Sequence, residues 1–299
     1  MTAGEASGRR NLRPAGLLPA MAAMGVFLVI PLGLVVVYSF LDKGTYGGVL
    51  WNFSLEAYRK ILFAEQLDGS RVVNMTFVIV FARSLILAAA TTAICALISF
   101  PAAYYISRRS AFAKGFLLLL IMFPFWSNLL VRTSSWIILF RDQGLINRIL
   151  MGSGLTRTPL GLLYTDGAVL VGLVYVYLPF MILPVFTSIE RLDRRLIEAA
   201  YDLYASKAQA LRQVVLPLTR PGLIVGSILV FVPSLGAFIT PELLGGGRKL
   251  MLGSLIQMQF TTARDWPYGA ALSIILLVLV VATFVLTAAR AGPRAARGG

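Results

Sequence analysis

Six apolar blocks dominate this chain, each close to the ~20 residues that an α-helix needs to cross ~30 Å of hydrocarbon. They are Ala15 to Phe40, Ser84 to Tyr104, Phe112 to Leu130, Ala168 to Ile189, Leu223 to Thr240 and Tyr268 to Ala289. Charged residues make up only 13% of the 299, roughly half the share in a soluble domain. The reading is an all-α integral membrane protein with six transmembrane helices. The first block follows Arg9, Arg10 and Arg13, as a signal peptide would. Its apolar run is too long for an h-region, and Val35, Val36 and Val37 after Pro31 are not a small-residue cleavage pattern, so it reads as a retained helix.

Lys and Arg near helix ends stay in the cytoplasm, which orients the spans. With the amino terminus inside, fifteen basic residues and five acidic ones fall on the cytoplasmic side, against eleven basic and eight acidic in the longer outer segments. Both termini are expected to be cytoplasmic. The organisation follows: a basic segment 1–14, a transmembrane domain 15–290 with a cytoplasmic loop 190–221, and a tail 291–299. The net charge of +14 is then a product of topology, and nucleic acid is not needed to explain it.

Several chemistries are excluded. No histidine occurs and Cys95 is the one cysteine, which removes Ser-His-Asp catalysis, an intrachain disulfide and the usual zinc sites. No GxxxxGK[ST] run occurs, so any ATP is bound by another subunit. No catalytic residue, metal ligand or cofactor site is expected in this chain.

Arg83 interrupts an apolar run. It is either an intramembrane charge on a transport path or an interfacial residue, and length favours the second. Ser84 to Tyr104 already spans, so Val72 to Ala82 would protrude and Arg83 would snorkel. The outer segments Leu41 to Arg83, Val131 to Gly167 and Pro241 to Pro267 exceed tight turns. Pieces such as Trp136 to Phe140 and Leu160 to Tyr164 could form helices on the outer surface. Trp51, Trp126, Trp136 and Trp266 fit interface anchoring equally well.

The stretch Glu190 to Pro221 is patterned where an idle linker would be irregular. Leu192, Leu196, Ala199, Ala200 and Leu203 recur at helical spacing, with charges between them, which predicts an amphipathic helix. Ser206 and Gln209 form a capping-box pattern for a second short helix, with Pro217 and Pro221 expected to stop regular structure. Such a knob suits a groove on a partner protein or a lipid surface, and periodicity does not decide between them.

Spacing does. Glu198, Ala199, Ala200, three residues, Tyr204, nine residues, Val214, one residue, Leu216 and Pro217 resembles the EAA loop of binding-protein-dependent ABC importer permeases. Tyr204 stands at the usual glycine and Val214 at the usual isoleucine, so the turn is not expected to depend on a glycine-only conformation. Two further stretches are similar to the spermidine/putrescine branch. One is Pro124, Phe125, Trp126, then Val131, Arg132, Thr133, Trp136 and Gly144 to Asn147; the other is Ser234 to Gly246.

The resemblance implies a type I importer permease working by alternating access. Its partners would be a pair of ATP-binding cassette ATPase subunits, a second permease subunit of different sequence and an extracytoplasmic solute-binding protein, all at a bacterial inner membrane. It assigns ATPase coupling to Glu198, Ala199, Ala200, Asp202, Leu203, Tyr204, Ala205, Ser206, Leu216 and Pro217. A polyamine path needs acids and ring faces. Glu242, Trp126, Tyr175, Tyr177 and Phe238 are the candidates, with helix packing an equally good account of each aromatic. Gly172, Gly226 and Gly236 fit close helix approach, and Pro179, Pro184 and Pro233 fit kinks. Opines, aminophosphonates or iron are alternative cargoes. A channel or an ion-coupled carrier would explain the spans but not the patterned loop.

Overall fold

The computed structural model describes residues 18–65 and 70–291. The segment 1–14 and all of 291–299 except Ala291 lie outside the described residues. The chain opens with α1 (Leu18–Met24), a π turn (Gly25–Val29) and α2 (Ile30–Ser39). Two antiparallel hairpins follow, β1 (Leu41–Lys43) with β2 (Val49–Phe53) and β3 (Phe63–Glu65) with β4 (Arg71–Val73), and α3 (Glu56–Leu62) lies between them. The all-α expectation is corrected here. Gly47 and Gly48, with φ of 98° and 80°, give the first hairpin its turn in a region that side chains rarely enter.

The next helix, α4 (Met75–Ser107), has 33 residues and is therefore ~50 Å long, well beyond one hydrocarbon thickness. Asn74 starts it by accepting from the Phe77 amide at 3.1 Å through its side chain, whose NH2 donates to the Lys60 carbonyl at 2.7 Å. One cap thus fixes α4 to α3. Arg83 lies two turns inside, 22% exposed, its Nε 3.4 Å from Asp166 Oδ1. It is paired, where the sequence suggested a lone snorkelling cation.

The third block is not one rod. After α5 (Ala111–Met122) a 3-10 turn covers Phe123–Trp126, and the helices α6 (Leu129–Phe140) and α7 (Leu145–Gly152) run off at 92°. Extended backbone at Ser127 and Asn128 makes the break, and Asn128 starts α6 by accepting from the Leu130 amide at 2.8 Å. Trp136 to Phe140 is helical as expected, whereas Leu160 to Tyr164 is irregular. Asn147, fully buried, organises that loop by donating to the carbonyls of Arg141 and Leu160 and accepting from the Leu160 amide.

Then come α8 (Asp166–Glu190), α9 (Arg194–Asp202), α10 (Lys207–Ala210), a π turn (Leu211–Val215), α11 (Leu216–Leu218) and α12 (Arg220–Leu235). The chain finishes with α13 (Ile239–Gly245), α14 (Leu252–Thr261) and α15 (Trp266–Ala291). The fifth block therefore breaks at Gly236 and does not run through to Thr240. Among the described residues, four helices are long and apolar enough to cross a membrane singly, and two bent pairs raise the number to as many as six.

The helix α8 sits at the centre, packed against α4, α12 and α13. Small residues let the backbones close in. A Cβ on Gly226 would lie 2.6 Å from Met181 Sδ, and one on Gly172 would strike Leu244 and Thr240. Gly236 differs from the expectation: nothing lies within 3.8 Å of a Cβ there, and it serves as the C-cap of α12. Three apolar clusters make the core, around Val169 and Leu173, around Leu252 and Leu272, and around Met181 and Val230.

Candidate functional site

The knob forms from local chemistry. Asp193 caps α9, accepting from the Arg195 amide at 3.0 Å. At the other end the Tyr204 amide donates to the Tyr201 carbonyl at 2.9 Å and the Ala205 amide to the Ala200 carbonyl at 3.0 Å. This crossed pair is a Schellman closure, which places its C′ residue in the left-handed region. That residue is Tyr204, with φ of 61°. The turn thus uses the left-handed conformation that glycine favours, and Tyr204 adopts it, so the turn does not depend on glycine itself. Ser206 and Gln209 then form the full capping box, with bonds of 2.8 and 3.3 Å.

Few groups of this chain cover α9. Leu203 is 81% and Tyr204 97% exposed, side by side at the turn, while Ala210 and Val215 are buried and anchor the base. Glu198, Ala199, Asp202 and Ser206 are exposed, Ala200 and Ala205 half-buried. Glu198 also lines a cleft of about 390 Å³ with Tyr104, Ser107, Arg108 and Tyr201. At this end of the molecule Lys114 Nζ meets Glu190 Oε1 at 2.6 Å, tying α5 to α8.

Neither Pro217 nor Pro221 stops the helix, as the sequence suggested; each sits in the first turn of a new one, where a missing N–H costs nothing. The two segments meet at 64°. Backbone bonding crosses the corner: the Thr219 amide donates to Val215 at 3.0 Å and the Leu223 amide to Thr219 at 3.2 Å. The buried Thr219 hydroxyl donates back to the Val215 carbonyl at 2.8 Å. Knob and α12 are one bent, continuously bonded unit.

The aromatic candidates separate. Tyr175 packs edge-on to Trp136 at 5.5 Å, with the Arg132 guanidinium 5.9 Å from its centroid. Tyr177 lies 6.3 Å from Phe180, which meets Phe125 edge-on at 5.2 Å. The Tyr177 hydroxyl donates to the Pro233 carbonyl at 3.1 Å, beside the break at Gly236. Phe238, partly exposed, caps α13. Glu242 is exposed in the first turn of α13 with no ion pair among the described residues. Trp126, 75% exposed, meets only the ring of Phe123 among the described residues and stands apart from the others. Phe125, Arg132 and Phe180 complete the cluster; sequence reasoning singled out none of them as a site, although Phe125 and Arg132 stand in its quoted motifs.

Near the hairpin end Asp166 bridges Arg83 and Lys249, the latter at 3.3 Å, joining α4, α8 and the segment before α14. Asp265 likewise bridges Lys43 at 3.7 Å and Lys60 at 3.4 Å and caps α15 through the Tyr268 amide. No group of three His, Cys, Asp or Glu suited to a metal occurs among the described residues.

Residues 95–291 match the family described as "Binding-protein-dependent transport system inner membrane component". The spermidine/putrescine transport system permease protein PotB of Escherichia coli K12 is 36% identical over 255 residues, 85% of this chain and 89% of that protein. PotB of Haemophilus influenzae is 38% identical over 254 residues, 85% of each. The inner membrane ABC transporter permease protein YdcU of E. coli K12 is 30% identical over 276 residues, 86% of this chain and 87% of that protein. In fold, the chain is similar to a bacterial alginate ABC transporter crystallised with its alginate-bound periplasmic protein, with a TM-score of 0.68 at 16% identity over 91% of each chain. The chain therefore belongs to the binding-protein-dependent transport system inner membrane components, and is a multi-pass, non-catalytic permease subunit of an ABC importer in the bacterial inner membrane.

Proposed function

We propose that the cargo is a polyamine, spermidine or putrescine, and that this chain forms the path with a second, different permease subunit. The bent pairs are read as single spans, six in all, with both termini and α9–α11 in the cytoplasm, a side that the excess of Lys and Arg there supports. The hairpins and the α13–α14 segment then face outward, towards a solute-binding protein. The observation that carries the cargo is the identity of 35 to 38% to PotB proteins over 85% of the chain. Ring faces at Tyr175, Tyr177 and Phe238 and the unpaired Glu242 supply groups suited to ammonium ions.

The knob is the coupling element. Leu203 and Tyr204 present apolar surface that this chain leaves uncovered, and an ATPase subunit with a matching groove would bury it. ATP is hydrolysed there, and the bent unit carries closure into α12. The reading assigns this chain no cofactor and no metal. The segments 1–14 and 291–299 are cytoplasmic extensions of the transmembrane domain 15–290.

The test is uptake of radiolabelled spermidine and putrescine by vesicles holding the permease pair, its ATPase and its binding protein. ATP-dependent uptake supports the reading, and uptake of neither amine rejects the cargo. For the knob, the tagged chain should carry the ATPase through purification. Glu198→Lys should uncouple ATP hydrolysis from uptake with membrane insertion intact; unchanged transport and association would reject Glu198 as a contact.

A further inference from the structure

Arg132 has a setting that the transport cycle just proposed does not use. It lies in the first turn of α6, just after the 92° break. Its guanidinium carbon is 5.0 Å from the Phe125 centroid and 5.9 Å from that of Tyr175. One terminal nitrogen donates to the Pro124 carbonyl at 3.0 Å. Nε is buried with no hydrogen-bond partner, and no carboxylate among the described residues pairs with the group.

A cation with a buried, unpartnered N–H and no counterion is costly. What faces it is the negative potential of two rings. Both rings are themselves oriented, Phe125 by the edge of Phe180 and Tyr175 by the edge of Trp136. Phe125 and Tyr175 therefore form a cation seat contributed by two separate spans, beside a helix break, the kind of place where transporters build binding sites. Arg132 occupies it at the end of a long side chain.

We propose that Arg132 is the resident cation of this seat, exchanged for an ammonium group of the transported amine as cargo passes, and that it sets the specificity of this step for organic cations. The proposal rests on the polyamine reading. Between cycles the guanidinium fills the seat and its charge opposes entry of free cations. During transport, the ammonium takes the rings while Arg132 swings clear of them and gives up its hydrogen bond to the Pro124 carbonyl.

The test is equilibrium dialysis of radiolabelled spermidine against the purified permease–ATPase complex in nanodiscs, without binding protein. Arg132→Gln keeps a donor for Pro124 and removes the charge, so it should bind spermidine about 2- to 30-fold more tightly than the unaltered complex, the range a cation–π contact supplies. Arg132→Lys should stay within about twofold of the unaltered complex. Tyr175→Leu, made without touching Arg132, should weaken binding and keeps the proposal testable if Arg132→Gln does not assemble. Equal binding by Arg132→Gln and the unaltered complex would overturn the proposal. So would an equal shift in Arg132→Lys and Arg132→Gln, which would assign Arg132 to packing, or an unchanged Tyr175→Leu. Vesicle uptake run in parallel separates the two failures. Uptake with unchanged binding rejects the exchange alone, whereas no spermidine uptake by the unaltered complex rejects the polyamine reading and the exchange together.

Discussion

The Tyr177 hydroxyl donates a 3.1 Å hydrogen bond to the backbone carbonyl of Pro233, joining α8 to the last turn of α12. The helix ends two residues later, and the Ala237 amide turns to the Ser234 carbonyl at 3.3 Å, so Pro233 lacks its in-helix donor. Tyr177→Phe should lower stability by about 1 kcal/mol, read as a lower melting temperature of the purified complex. An unchanged melting temperature would mean that water serves Pro233 equally well.

At Tyr204 two effects of one side chain can be separated. Tyr204→Gly relieves the left-handed backbone, worth about 1 kcal/mol, whereas Tyr204→Ala keeps the strain. Both remove the exposed ring. Thermal stability should rise for glycine only, while affinity for the ATPase subunit should fall by roughly tenfold for both, as for loss of an interface aromatic. Unaltered association in both variants would mean that the ring contacts nothing.

A Cβ on Gly253 would meet the Gly236 carbonyl carbon at 2.6 Å and the Ala237 oxygen at 2.7 Å. The neighbour is rigid backbone at the break of span five, so Gly253→Ala should cost about 3 kcal/mol and reduce the yield of folded protein. Gly115→Ala is the control, since nothing lies within 4 Å and it sits inside α5. It should be neutral or stabilising by up to about 1 kcal/mol. Similar yields of both variants would count against the close approach of α14.

Asp166→Asn leaves Arg83 and Lys249 facing each other without their shared carboxylate. The cluster is partly exposed, so the expected loss is about 1 kcal/mol, and it should shrink as salt is raised. Melting curves at low and high salt measure it. A loss independent of salt would assign Asp166 to the start of α8 in place of the charge cluster.

Glu242→Gln removes a carboxylate, near the break at Gly236, that has no ion pair among the described residues. Uptake should fall several-fold, with melting temperature unchanged because no ion pair is lost. Uptake equal to that of the unaltered complex would take Glu242 off the path.

Period and spacing made the long helices and the knob legible. Apolar length marked α4, α8 and α15, and the Ser206–Gln209 box was visible three residues apart. The breaks were not. Ser127, Asn128 and Gly236 fall inside apolar runs, and hydropathy carries no information about where the chain turns back. The pairing of Arg83 with Asp166, 83 residues away, needs the packing of α4 on α8 to exist. Arg132 was hidden differently: the motif contained it, but its chemistry appears only when Phe125 and Tyr175 arrive from two other elements.

The corner at Thr219 has a mechanical meaning. Sixteen residues make α12 about 24 Å long, so a rocking of the knob by roughly 10° sweeps the far end through about 4 Å if the corner holds its angle. That far end carries Pro233 and the break at Gly236, next to Tyr177. A small rotation of the knob would therefore reach Tyr177 and the break at Gly236 as a displacement about the width of an ammonium ion.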